Sequence, residues 1–205
     1  MGIAASALAQ VAQRTENPKS VRLHLVRHGQ TMANVQSRFP GPEARLTNVG
    51  RAQAMGIGRE FLKKDILVDS ILVSPTARTF ETMENACLVM PVQPRVIVVS
   101  GLAEKDPCGA IGERIPGTFE EVDRLTIKRG GESFPWFIER VENAFIGLLR
   151  DIREGRIPGG DIAVFGHSLV NRICLGVLQG VGGTKGLEGQ SQLNGGIKTV
   201  EIRRA

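Results

Sequence analysis

At 205 residues, with 41% hydrophobic positions and a formal net charge of +5, the chain is long enough to bury one substantial core, and the lack of an internal repeat argues against a solenoid. No apolar run approaches the ~18 residues of a membrane span. The charge is dispersed, with one Trp and no Tyr to stack on bases, so no nucleic-acid partner is expected and a small anionic ligand fits better.

The opening segment, "MGIAASALAQVAQR", has no basic region of the kind that starts a secretory signal. It does match Met-Gly-x-x-x-Ser through Gly2 and Ser6, a pattern that in a eukaryote permits myristoylation at Gly2 and a weak membrane anchor. Residues 1–20 read as a leader and 21–205 as one domain. Cys87, Cys108 and Cys174 are an odd number in a chain that needs no staples; reduced thiols in a cytoplasmic protein are the expectation, with no integral membrane segment.

From residue 21 onward, short β-branched runs alternate with helical patterns. "VRLHLV", "SILVS", "RVIVVS", "IAVFG" and "KTVEIR" are predicted strands. Between the first two, Thr47 precedes "NVGRAQAMGIGREFLKK" as a helix start; Thr118 with Glu121 forms a capping box; Ser133 and Pro135 open a longer helix. In that helix Phe137, Val141, Phe145, Leu148 and Ile152 recur every three or four residues and make one apolar face. Residues 180–196, rich in glycine and polar groups, are a predicted loop before the last strand. The alternation predicts a three-layer α/β/α fold with a mostly parallel central sheet.

Ligands of open α/β sheets sit at the carboxyl ends of the strands. Those ends carry Arg27, His28 and Gly29; Ser74, Pro75 and Arg78; Glu104; and Gly166, His167 and Ser168. Two guanidinium forks can bind a phosphoryl group and oppose its charge. A neutral imidazole between them can attack phosphorus, and neighbouring cations lower its pKa and keep it neutral. A glycine after it lets the backbone approach a phosphate. The second imidazole offsets charge on the equatorial oxygens, and a carboxylic acid protonates the leaving oxygen. Such a set requires no metal and no cofactor.

"LVRHGQTMAN", "LTNVGRAQA", "SPTARTFETM", "GLAE", "GGESF" and "VFGHS" occur in the order seen in the histidine phosphatase superfamily, the phosphoglycerate mutase-like proteins, and the chain resembles that family over residues 21–203. The resemblance implies a phosphoglycerate mutase-like fold and a phosphomonoesterase acting on a phosphorylated small molecule through a phosphohistidine. By position, Arg27, Asn34 and Arg78 resemble the family's phosphate-binding residues, His28 the nucleophile, His167 the second histidine and Glu104 the proton donor. Asp106 is the nearest alternative to Glu104, followed by Glu113. Ser168 stands where the family commonly has glycine and where the acid-phosphatase branch has aspartate, which disfavours that branch and leaves Ser168 as a substrate-side residue. Mutase-type phosphoryl transfer is the second reading, and a catalytically silent phospho-ligand-binding domain a third. The interval between Glu104 and His167 is short for the covering insertion that mutases usually carry, which favours water as the acceptor.

Other polar residues have bland explanations. His24 lies inside a predicted strand and is expected to be a packed core histidine. "GVGGTKG" misses the Gly-Lys-Ser/Thr of a phosphate loop, because Lys185 is followed by Gly186. Cys174 falls in an apolar helix and reads as packing.

Overall fold

The first strand, β1 (Ser20–Arg27), is the hub of the sheet. In the computed structural model, which describes residues 18–90, 93–188 and 191–203, β1 pairs in parallel with β4 (Asp161–Gly166) and antiparallel with β5 (Ile197–Arg203). On the far side, β2 (Ser70–Val73) pairs in parallel with β4, and β3 (Arg95–Val98) with β2, giving the order β3-β2-β4-β1-β5. All five strands coincide with the predicted runs to within one or two residues. The leader reading for residues 1–17, including Gly2, lies outside the described residues; the strand begins at Ser20, one residue before the predicted domain boundary.

Among the described residues six α-helices connect the strands: α1 (Met32–Gln36), α2 (Asn48–Lys63), α3 (Ala77–Cys87), α4 (Phe119–Lys128), α5 (Phe134–Arg153) and α6 (Ser168–Leu178). The starts of α2, α4 and α5 follow the predicted capping chemistry. Thr47 Oγ1 accepts from the Gly50 amide, Thr118 and Glu121 exchange the two bonds of a capping box, and Ser133 Oγ accepts from the Trp136 amide. Each satisfies a backbone donor that the first turn leaves without a partner.

Side chains of a strand alternate between faces, so the core divides in two. Leu23 and Leu25 of β1, with Ile162 and Val164 of β4, pack with the predicted stripe Phe137, Val141, Phe145, Leu148 and Ile152 of α5. Val26, Ala163 and Phe165 point the other way, onto Ile57 and Phe61 of α2 and Met83 of α3. Full burial of each such side chain contributes about 1.5–3 kcal/mol, and covering both faces is what holds a mostly parallel sheet in water. No helix among the described residues is long and apolar enough to cross a membrane.

The register decides where the chemistry goes. Arg27 lies opposite Gly166, and Val73 opposite Phe165. The residues that follow, His28, His167 and Ser74, therefore leave the sheet side by side at one edge.

Candidate active site

His28 is buried one step past β1, and its ring Nδ1 lies 2.7 Å from the Gly29 carbonyl. A carbonyl only accepts, so Nδ1 carries the proton and donates it. Burial, then the Arg78 charge and then that of Arg27, push the His28 pKa down to about 3 against the pull of the Gly29 bond. At neutral pH the second nitrogen, Nε2, therefore holds a free lone pair. The His167 ring meets that of His28 edge-on, 5.3 Å between centroids. Its Nε2 is 2.8 Å from Ser74 Oγ, while its Nδ1 is buried without a partner among the described residues. Burial and the Arg78 charge hold its pKa well below the ordinary histidine value.

Two guanidiniums flank the rings. Arg27 donates through one terminal nitrogen to the Gln192 carbonyl, and Arg78 through one of its own to the Gly41 carbonyl at 3.0 Å. The Nε of each is buried and unpartnered among the described residues. Arg78 is 3% exposed, and burial lowers its pKa to about 10, a cost that the Glu104 carboxylate partly offsets. A buried donor without an acceptor costs about 1–3 kcal/mol; two such guanidinium donors and one imidazole nitrogen lie at one edge of the sheet, with no carboxylate bonded to either arginine among the described residues, an arrangement that could accept an anion.

Asn34 joins them from α1. Its Oδ1 accepts from the Thr31 amide, the Thr31 hydroxyl and Asn194 Nδ2 at 3.0–3.3 Å, which leaves the Asn34 amide nitrogen as the group able to donate to an anion. The Glu104 carboxylate accepts from the Lys105 amide at 3.2 Å and lies against the Leu169 amide, within the fields of Arg78 and Arg27. Burial outweighs all four and raises its pKa above the ordinary carboxylate value.

The alternatives to Glu104 are engaged elsewhere. Asp106 is exposed and caps the Cys108 amide at 2.8 Å. Glu113 pairs with Arg129 at 2.7 Å. Ser168 opens α6 with its hydroxyl 2.9 Å from Ser191 Oγ. His24 is a packed core residue, as expected: its ring nitrogens meet Thr199 Oγ1 at 2.9 Å and Asp161 Oδ1 at 3.0 Å.

Gly29 has a use besides the one expected. A Cβ there would sit 2.4 Å from the Gly50 carbonyl oxygen, so its missing side chain admits the first turn of α2 against the loop, whatever a phosphate requires. Sequence reasoning also passed over the strap 192–196. Gln192 bridges Asn171 Nδ2 (2.7 Å) and the Leu25 carbonyl (3.0 Å) while its own carbonyl takes Arg27; Asn194 donates to the His28 carbonyl at 3.2 Å. The usable signal was "QLNGG" directly before β5, because an antiparallel partner of β1 must enter beside the end of β1.

A family model described as "Histidine phosphatase superfamily (branch 1)" matches residues 23–205. Among solved structures, the chain is similar to an alpha-ribazole phosphatase from Shigella flexneri, at 22% identity and TM-score 0.71 over 90% of this chain and 92% of that one. A phosphoglycerate mutase from Bacillus anthracis str. Sterne matches at 18% identity and TM-score 0.72, covering 92% and 90%. A mycobacterial glucosyl-3-phosphoglycerate phosphatase solved with VO3 matches at 21% and 0.63, covering 87% and 92%. At these identities the structural likenesses establish the fold. No curated protein matches the chain.

Proposed function

The chain belongs to the histidine phosphatase superfamily, and from that premise we propose that it is a metal-independent phosphomonoesterase that hydrolyses a phosphorylated small molecule through phospho-His28. One observation carries the reading: the His28 ring is held in the tautomer that bares Nε2, beside buried Arg27, Arg78 and His167 nitrogens without partners among the described residues.

In the first step the Nε2 lone pair forms a bond to phosphorus while the bond to the leaving oxygen breaks, and that oxygen takes the Glu104 proton. Arg27 and Arg78 hold the equatorial oxygens, with the Asn34 amide as a further donor. A Ser74 hydroxyl that donates to His167 Nε2 keeps the His167 proton on Nδ1, facing the phosphoryl group. In the second step water attacks phosphorus, Glu104 recovers a proton from it, and the N–P bond breaks to release phosphate and neutral His28. The raised pKa of Glu104 suits it to give up a proton and take one back.

Water is favoured over a second substrate as acceptor by the content of 105–166. A single 3-10 turn (Cys108–Ala110), α4, α5 and β4 account for its regular structure, with no further helical insertion to cover the site. Two of the similar structures are named as phosphatases of alpha-ribazole and glucosyl-3-phosphoglycerate, which supports a small phosphorylated metabolite as substrate and leaves its identity to a substrate panel.

Quenching turnover of a phosphate-labelled monoester with alkaline denaturant, in which the N–P bond of a phosphohistidine survives, tests the reading. Label on His28 together with release of free phosphate is the expected result. Label passing to an added alcohol in preference to water would make the chain a mutase-type transferase, and no label on wild-type protein would remove the phosphohistidine.

A further inference from the structure

The "GGESF" motif has no part in the chemistry described so far, yet it packs directly beneath the residue that carries the acid. Glu132 of that motif and Arg140 of α5 form a two-pronged ion pair, with Nε and a terminal nitrogen each 2.8 Å from a carboxylate oxygen. Neither group stops at its partner. Arg140 also donates to the carbonyls of Gly101 (3.0 Å) and Ala103 (3.1 Å) and approaches that of Glu104 (3.5 Å). Glu132 accepts from the Asp106 amide at 3.2 Å and returns its own amide to the Asp106 carbonyl at 2.9 Å. One ion pair thus grips the backbone on both sides of Glu104.

The surroundings leave that grip little play. Lys105, 7% exposed, turns away from the site, and its ammonium bonds Thr126 Oγ1 and the Glu132 carbonyl, lies 3.5 Å from Asp123 and sits 4.8 Å over the Phe134 ring. A Cβ on Gly101 would lie 2.4 Å from that of Ala144, and one on Gly131 2.6 Å from the Asp106 carbonyl oxygen. The segment 101–106 is therefore pressed against α5 and the motif with no room to slide. Arg140 touches no atom of the proposed substrate path, but its charge reaches His167, so it lies close behind the site.

We propose that the Arg140–Glu132 pair is a positioning device for the general acid, setting Glu104 at the leaving oxygen without itself contacting substrate. The inference rests on Glu104 being the acid in the reading above. A displacement of about 1 Å at a reacting group can cost on the order of 10²-fold in rate, and in the first step, transfer to His28, a positioning fault in the acid slows only esters whose leaving group needs the acid.

The test compares β-glycerol phosphate, a poor alkoxide leaving group, with p-nitrophenyl phosphate, a good one, in Arg140→Lys, Glu132→Gln and Glu104→Gln. Arg140→Lys is expected to lower kcat/KM for the alkyl ester by about 10- to 100-fold and to change kcat/KM for the aryl ester by less than about threefold, because kcat/KM reports transfer to His28 and leaves out the second step, which both esters share. Added to Glu104→Gln it should bring little further loss on the alkyl ester, because both substitutions remove one function. Glu132→Gln keeps the Arg140 bonds to the carbonyls and should show the same selectivity at smaller amplitude, which holds the test open if Arg140→Lys folds poorly. Equal losses on both esters in the Arg140 and Glu132 variants, or a loss that multiplies with that of Glu104→Gln, would overturn the positioning role. If Glu104→Gln itself fails to discriminate the esters, the acid assignment falls and the inference with it, while labelling of His28 still judges the nucleophile separately.

Discussion

The β1–β4 pair holds the chain's three histidines in opposite settings, one inside β1 toward the amino end and two just past the carboxyl end, and all three are buried. On the amino side both His24 nitrogens are bonded, Asp161 also takes two bonds from Arg22 at 2.6 and 2.8 Å, and the ring packs edge-on to Phe61. At the carboxyl end, His28 and His167 face two arginines, and each guanidinium and the His167 ring keep a nitrogen without a partner among the described residues. Burial alone does not separate structural from chemical histidines. What separates them is whether the fold completes their hydrogen bonds or leaves them for a ligand.

Exchanging the two ends by mutation should give opposite losses. His28→Ala is expected to lower kcat by about 10⁴-fold or more and to abolish labelling that survives alkali and is lost in acid, with the thermal midpoint near wild type, since the side-chain bond it removes is the one from the ring to the Gly29 carbonyl. His24→Ala should leave kcat near wild type and lose about 2–4 kcal/mol of stability, because Asp161 is left buried with one bond fewer. Turnover by His28→Ala above about 1% of wild type would mean that the carboxyl end is not chemically distinct in the way proposed.

The arginines sharpen the same contrast. Arg78→Gln removes a guanidinium that is 3% exposed and has no carboxylate bonded to it among the described residues, and kcat/KM should fall by about 10³-fold. Arg22→Gln removes one whose side chain is 45% exposed but whose partner Asp161 is buried; activity should hold, and stability should fall by about 2–4 kcal/mol, because the Asp161 carboxylate loses two charge-assisted bonds. Kinetics and denaturant melts on the two variants read both outcomes.

Glu104 stands between these extremes, bonded by backbone amides yet raised in pKa. Glu104→Gln should cut kcat/KM for an alkyl ester by about 10²-fold and for an aryl ester far less. Because the acid must be protonated, kcat/KM for the alkyl ester should fall as pH rises through the Glu104 pKa, and that alkaline limb should be missing from the variant. A limb that persists in Glu104→Gln would assign it to another group.

Much of this arrangement was readable from the sequence where short-range rules apply. The five strands, the capping residues Thr47, Thr118 and Ser133 and the α5 stripe depend on periodicity and on neighbours three or four residues apart. The strand-end rule collected Arg27, His28, Arg78 and His167 at one edge before any pairing was known. Long-range contacts stayed hidden. Gln192 reaches the Leu25 carbonyl, Arg140 reaches Gly101 to Ala103, and Gly29 meets Gly50; no local pattern announces an acceptor that is brought close only by the packed fold. For the same reason strand order, with β4 between β1 and β2, follows from the sheet and not from the run of elements.

The smallest of the expected effects concerns acid. His28 has an ordinary value of 6.5 in the unfolded chain and about 3 in the fold, so between those values the unfolded state binds a proton that the native state refuses. Stability therefore rises with pH across this window, and acid removes it progressively from about pH 6.5 down to about 3, where the native ring also protonates. The slope is about 1.4 kcal/mol per pH unit for one imidazole. His167 is displaced in the same direction by burial and Arg78 and adds a slope of the same sign. Denaturant melts of wild type and His28→Asn at pH 6 and pH 5 isolate the term: the variant should lose less stability on that step, by about 1 kcal/mol. Inorganic phosphate should oppose the loss in wild type more than in Arg78→Gln, because an anion that satisfies the arginine donors binds only the folded state. Equal acid sensitivity of wild type and His28→Asn would mean that His28 accepts its proton as readily in the fold as outside it, and the contrast between the two ends of β1 would lose its electrostatic basis.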